Sequence, residues 1–242
     1  MTNFNHTLLS LKSFTVILLL FAWGKGLAQQ TEKRDSKLTP QVKEEYEVLK
    51  SDLNTRQGTY VAFYKKQMLA AGRYNQNKKV GSWTFFNLKK EVIQRFNYDS
   101  KTLIYEARED STSGFKYIID KPIADTDRVT KPIKPGGRYY GYLRYLNLFQ
   151  LPKDLIGINN DLFDYTIELL ISPYGRLAEY KVHIQSRLRP EEDENVKMNI
   201  NLLSDEEKTF IPATLNKESI SSRILIRCRL SGTDRITFWD MK

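Results

Sequence analysis

The chain has 242 residues, with 38 Lys and Arg against 29 Asp and Glu, a formal net charge of +9 and a single cysteine, Cys228. Its 40% hydrophobic residues can bury a core, which excludes a wholly disordered chain. One cysteine excludes an intramolecular disulfide framework, so packing has to hold the fold.

Residues 1–28 read as a targeting segment. Lys12 precedes an apolar run from Phe14 to Trp23, and Gly26-Leu27-Ala28 places small residues at −3 and −1. This order predicts a secretory signal cleaved between Ala28 and Gln29. The run falls well short of the roughly 20 apolar residues that span a membrane, and a retained membrane anchor is the alternative. With no cysteine after the signal, lipid attachment is not expected. Lys12 and Lys25 leave with it. The remaining excess of positive charge is spread over Lys65-Lys66, Lys78-Lys79, Lys89-Lys90, Arg223, Arg227 and Arg229. That spread suits a soluble surface drawn weakly to anionic lipid or lipopolysaccharide, and export leaves no role for nucleic acid.

Residues 29–57 are predicted to be a polar leader followed by a helix. Val42, Tyr46, Leu49 and Leu53 recur at helical steps, with Thr39 as cap and Pro40 in the first turn. From Gly58 the period changes to two. Gly58-Thr-Tyr60 is followed by Gly72-Arg-Tyr74 and Gly81-Ser-Trp83, each opening a short aromatic run. Units this short cannot bury a core alone, so residues 58–105 are expected to stack as successive antiparallel hairpins. The Gly-x-aromatic phrases resemble the MORN-type repeats of bacterial antitoxin-annotated repeat proteins. Tyr60, Tyr74 and Trp83 are either the ribbon's buried side or a partner-binding surface; the second reading requires them to be exposed.

Residues 106–133 read as a linker. Beyond them Tyr139, Tyr142, Leu143, Leu146 and Phe149 fall at helical steps. Two strands follow, joined at Ser172-Pro173-Tyr174-Gly175. Phe163, Tyr165, Ile167, Leu169 and Ile171 alternate with polar neighbours in the first, and Ala178, Tyr180, Val182 and Ile184 in the second. Pro190 with Glu191–Glu194 suits a helix start, with Val196, Ile200 and Leu203 on its buried side. A third strand runs from Ile220 to Leu230. The expected fold class is α+β: an antiparallel β-hairpin repeat ribbon, then two helices on a three-stranded antiparallel sheet.

The order of Pro135-Gly136-Gly137, Tyr145-Leu146, Leu151-Pro152, Tyr174-Gly175, Phe210-Ile211-Pro212-Ala213 and the strand Ile220 to Leu230 resembles the C-terminal domain of TonB-family proteins, with Leu-Pro and Phe-x-Pro where the family has Tyr-Pro and Trp-x-Pro. The resemblance, over residues 134–230, implies a periplasmic module whose last strand pairs with an extended segment of an outer-membrane transporter. Ser221, Arg223, Leu225, Arg227 and Arg229 would then lie on the accepting strand. The tail, 231–242, is predicted to add a strand at that edge, Ile236 and Phe238 alternating with Arg235, Thr237 and Trp239.

No catalytic residues, cofactor or metal ligands are predicted. His183 stands among Lys181 and Gln185 on a polar strand face, and Cys228 lies on an apolar one. The expected function is that of an exported, non-enzymatic protein-interaction protein of the periplasm or cell envelope. The alternatives are a membrane-anchored energy transducer and an envelope structural protein binding lipid or glycan through its aromatic repeats.

Overall fold

The computed structural model describes residues 30–109, 113–159, 162–189 and 193–241; the signal reading at Ala28 and Gln29 lies outside them. The fold is built almost wholly of antiparallel strands in three sheets of seven, six and three. This corrects the α+β expectation. In place of two roofing helices the described residues hold one short α-helix, α1 (Leu143–Leu148), entered through a single 3-10 turn at Tyr140–Tyr142.

The first sheet is a meander in which every strand pairs with its sequence neighbour: β1 (Thr31–Lys37), β2 (Val42–Leu49), β3 (Asp52–Tyr64), β4 (Gln67–Asn75), β5 (Lys78–Phe86), β6 (Val92–Asn97) and β7 (Thr102–Glu106). The leader and the helix predicted for 29–57 are thus strands. The period of two was hidden because the inward positions of β2 are Val42, Glu44 and Val48, and a carboxylate reads as an outward residue. Glu44 is only 2% exposed, and Arg56 neutralises it through two hydrogen bonds of 2.6 and 3.1 Å. Each Gly-x-aromatic phrase falls on a strand of this meander. Tyr60, Ala62, Ala70, Trp83, Phe85, Ile93 and Phe96 form its buried face.

The second sheet runs β12 (Asp193–Lys197), β11 (Leu177–Ser186), β10 (Phe163–Ile171), β15 (Ser222–Ser231) and β16 (Arg235–Phe238), and β8 (Phe115–Ile119) also pairs with β15. The hairpin β10–β11 closes through Gly175, whose φ of 69° suits glycine and whose amide donates to the Ser172 carbonyl at 2.9 Å. Two expectations fail here. Pro190 and Glu191, where a helix start was expected, lie outside the described residues, and Asp193 to Lys197 form an edge strand, because pairing with β11 outweighs local helix preference. The linker supplies β8, which completes the ladder of β15. A small third sheet joins β9 (Val129–Thr130), β13 (Ala213–Leu215) and β14 (Glu218–Ile220).

Residues 135–149 pass between the two large sheets. Toward the meander, the Tyr140 hydroxyl meets that of Tyr60 at 2.9 Å and its ring stacks on Phe85 at 5.7 Å. Toward the second sheet, Tyr145 packs edge-on against Tyr180 at 5.5 Å and their groups are tied by a 2.8 Å hydrogen bond from the Tyr180 hydroxyl to the Tyr145 carbonyl. Trp83 is fully buried and lies across Gly72, where an added Cβ would sit 2.2 Å from the indole.

Substitution of Gly72 by Ala therefore has to displace the indole, and should cost about 1–3 kcal/mol, with Trp83→Ala costing about 3–5 kcal/mol. Urea unfolding of each variant checks this; an unchanged midpoint for Trp83→Ala would mean that the ring is not part of the core.

Candidate functional site

Of the five residues predicted to line an accepting edge, Arg223, Leu225, Arg227 and Arg229 lie on β15 and Ser221 just before it, but β15 is not an edge. Tyr165 to Ile171 of β10 pair with one flank. On the other, Ile119 to Phe115 of β8 take Ser222 to Ile226, and Phe238 to Arg235 of β16 take Cys228 to Ser231. The tail pairs as a strand here, and with β8 it leaves no open ladder along β15.

The side chains are committed as well. Ser221 donates to Asp120 at 3.2 Å, and Leu225 is half-buried between Glu168 and Lys116 in the ladder. Arg223 bridges Asp120 at 2.5 Å and Glu168 at 3.1 Å. Arg227 stacks 3.9 Å over the Trp239 ring and lies 3.7 Å from Asp164, and Arg229 donates to the Met241 carbonyl. Arg223 and Arg227 are thus held by acids of the same chain and Arg229 by a main-chain carbonyl.

Glu168 carries the line of charge onward. Its other oxygen is 2.7 Å from His183 Nε2, whose Nδ1 is 3.2 Å from Asp193 on β12. The outer face of this sheet carries a chain of polar contacts from Asp120 through Arg223, Glu168 and His183 to Asp193. Asp164 is held below the ordinary carboxylate range by hydrogen bonding to Arg187. Cys228 is 2% exposed, and burial raises its thiol far above the ordinary range, so it is not a reactive thiolate.

The repeat aromatics are placed differently from a binding surface. Tyr60 and Trp83 are buried and Tyr74 is half-buried, with the three rings packed on one another at 5.1–5.3 Å. The Trp83 indole N–H donates to the Arg73 carbonyl at 3.2 Å. This corrects the reading of Tyr60 and Trp83 as exposed contact residues.

Sequence reasoning missed the polar groups that join the sheets. Gln94, 1% exposed, accepts from the amides of Gly136 and Gly137 at 2.8 and 2.9 Å and donates to Glu106 and the Lys134 carbonyl at 2.9 and 3.0 Å. Lys134 donates from Nζ to the carbonyls of Glu206, Glu207 and Thr209 at 2.7, 2.7 and 2.9 Å. Lys79 sits 5.0–5.3 Å from the rings of Trp83, Tyr98 and Tyr140, with its ammonium 2.6 Å from Glu206. Gln94 falls on the inward side of its strand with Phe96, which was the one available signal.

Among the described residues no group of three or more His, Cys, Asp or Glu could hold a metal ion, and no helix is long and apolar enough to cross a membrane. Comparison with family models, curated proteins and solved structures returns no match.

Two predictions follow from these contacts. Deleting residues 235–242 removes Ile236, Phe238 and Met241, which are at most 4% exposed. Losing such side chains costs on the order of 2–5 kcal/mol each, so the truncated protein should melt far lower without gaining peptide binding. A folded truncation that binds peptide better would reverse this.

The second concerns Lys134. Burial, and next the repulsion of Lys79, pull its ammonium from an ordinary 10.5 down to about 7. The folded value lies below the unfolded one, so stability from this group is full above about pH 10.4 and is lost as pH falls through about 7. Lys134→Met, which strands three carbonyls, should cost on the order of 3 kcal/mol near neutrality. The gap in wild type's favour should widen between about pH 7 and 10, which urea midpoints across that range would measure.

Proposed function

We propose that this is an exported, non-catalytic protein-interaction protein that pairs an extended segment of a partner with a sheet edge, and that the edge is β7 rather than β15. The supporting observation is how differently the four long edges of the two sheets are protected. β1 presents Glu32, Lys33, Arg34, Asp35 and Lys37, and β12 presents Asp193, Glu194 and Lys197. Charged side chains of this kind deter strand addition. The edge formed by β16 is buried at Ile236, Thr237 and Phe238, and Tyr117 of β8 lies beneath the Lys131 ammonium at 4.8 Å.

β7 reads Thr102-Leu-Ile-Tyr-Glu106, with no charge between its ends. Ile104 is 54% and Tyr105 46% exposed. A bulge between Leu103 and Tyr105 turns Ile104 out of the ladder with β6, so two large apolar side chains stand at the rim of the sheet. Adjacent exposed apolar groups on an unpaired edge favour a partner that supplies both main-chain hydrogen bonds and apolar contacts. The buried area is small, so the affinity should be modest.

A photo-reactive residue placed at Tyr105 should cross-link to a discrete protein in cells, and the same probe at Arg34 on β1 should not. Ile104→Lys with Tyr105→Lys should abolish that cross-linked species when the probe sits at Thr102, while leaving the melting temperature within a few degrees. Equal cross-linking from Arg34, or a complex indifferent to the two lysines, would remove β7 as the docking strand.

A further inference from the structure

A cleft of about 460 Å³ opens where the meander, the segment leading into α1 and the tail meet. Its walls come from Asn87–Lys89 in the β5–β6 turn, from Ser113–Phe115, from Arg138 and Tyr139, and from Trp239 and Asp240. The size is that of a small-molecule site. Three aromatic side chains face it. Phe115 and Tyr139 are fixed from behind by Phe238, at 6.1 and 5.5 Å, and Trp239 is fixed by the guanidinium of Arg227 at 3.9 Å. Trp239 keeps 40% of its surface exposed, which is unusual for a side chain held this firmly.

The charges at this cleft are unbalanced. Asp240 accepts a hydrogen bond from the Tyr139 hydroxyl. Arg138 is half-buried, yet it forms no hydrogen bond or ion pair with any described residue, and the exposed Lys89 ammonium has none either. Arg56, Arg176, Arg187, Arg223 and Arg227 each face a carboxylate of the chain itself, and Arg73, Arg95, Arg108 and Arg128, which do not, are exposed. Glu106 is close enough to feel the charge of Arg138 but does not bridge it, so the guanidinium keeps its donors free, and its planar fork matches a carboxylate with two parallel hydrogen bonds.

We propose that this cleft binds a small organic anion, a carboxylate carried on a flat, ring-sized apolar body. Arg138 takes the carboxylate, Lys89 adds long-range attraction, and the ring lies among Phe115, Tyr139 and Trp239. The site is separate from β7 and does not depend on the pairing proposed there.

Benzoate is the probe, titrated into the whole chain by calorimetry and by the emission of Trp239. Saturable binding is expected at millimolar concentration or below, and benzyl alcohol, of the same shape but neutral, should bind much more weakly. Arg138→Gln should weaken benzoate about tenfold to a hundredfold, the size of a lost hydrogen-bonded charge contact. Because Arg138 makes no hydrogen bond or ion pair with a described residue, the variant's melting temperature should stay within a few degrees of wild type. Trp239→Ala should weaken binding as well, while Glu45→Gln on the far face of the meander should not.

Absence of saturable binding would overturn the proposal. So would equal affinity for benzyl alcohol, which would leave an apolar cleft with no role for charge, or an Arg138→Gln variant that binds benzoate as well as wild type. Inorganic phosphate binding as tightly as benzoate would remove the aromatic walls from the account.

Discussion

The whole structure depends on one requirement: the aromatic face of a seven-stranded meander has to be kept from water, and a short segment carrying Tyr139 and Tyr140, with Leu38 and Ile211 beside it, does so. Residues 135–149 lie between that face and the second sheet, touching one with Tyr140 and the other with Tyr145. A longer helix would be needed if helix packing supplied the cover. Here the cover is a 3-10 turn and a six-residue helix locked by polar groups. Gln94 fastens the glycine pair at its start, and Lys134 gathers three carbonyls from the segment at 206–209. These are buried polar contacts with every partner in place, the condition under which they hold a unique arrangement instead of weakening it.

The second sheet follows a different principle. Its inner face is apolar and closed, and its outer face is organised by charge pairs along the strands. Exposed pairs of this kind contribute little each, so the ladder from Asp120 through Arg223, Glu168 and His183 to Asp193 sets register more than it adds stability. It also consumes the arginines that would otherwise look like a docking surface. What is left uncommitted lies elsewhere, at the rim of β7 and in the cleft beside Trp239.

Much of the second sheet was legible because its strands alternate cleanly. β10, β11, β15 and the tail strand β16 could be read from Tyr165, Ile167 and Leu169, from Tyr180, Val182 and Ile184, and from Ile224, Ile226 and Cys228. The misread parts share a cause. On β2 a buried glutamate stands where an apolar residue would mark the inward side, and its arginine partner lies on the next strand, out of sight of any local pattern. On β12 an acidic run looks like a helix start because nothing local announces that β11 lacks a neighbour. β15 was read as an edge for the same reason: whether it lies at one depends on β8, which comes from a stretch that reads as a linker. Residues of the Trp239 cleft come from four separate stretches, and no spacing in the chain links Arg138 to Trp239.

The contrast between the two sheets reaches into how the chain assembles. In the meander each strand meets the one just before it, so its loops are short and close at little entropic expense. The other sheet joins Phe115 to Ile226 and Tyr165 to Cys228, contacts that wait on long closures and form slowly. Assembly in that order leaves Trp83, Phe85 and their neighbours bare on a finished ribbon until Tyr140 is seated over them. The interval in which this protein is most apt to stick to copies of itself is therefore set by the slow half of the molecule, although the sticky surface belongs to the fast half.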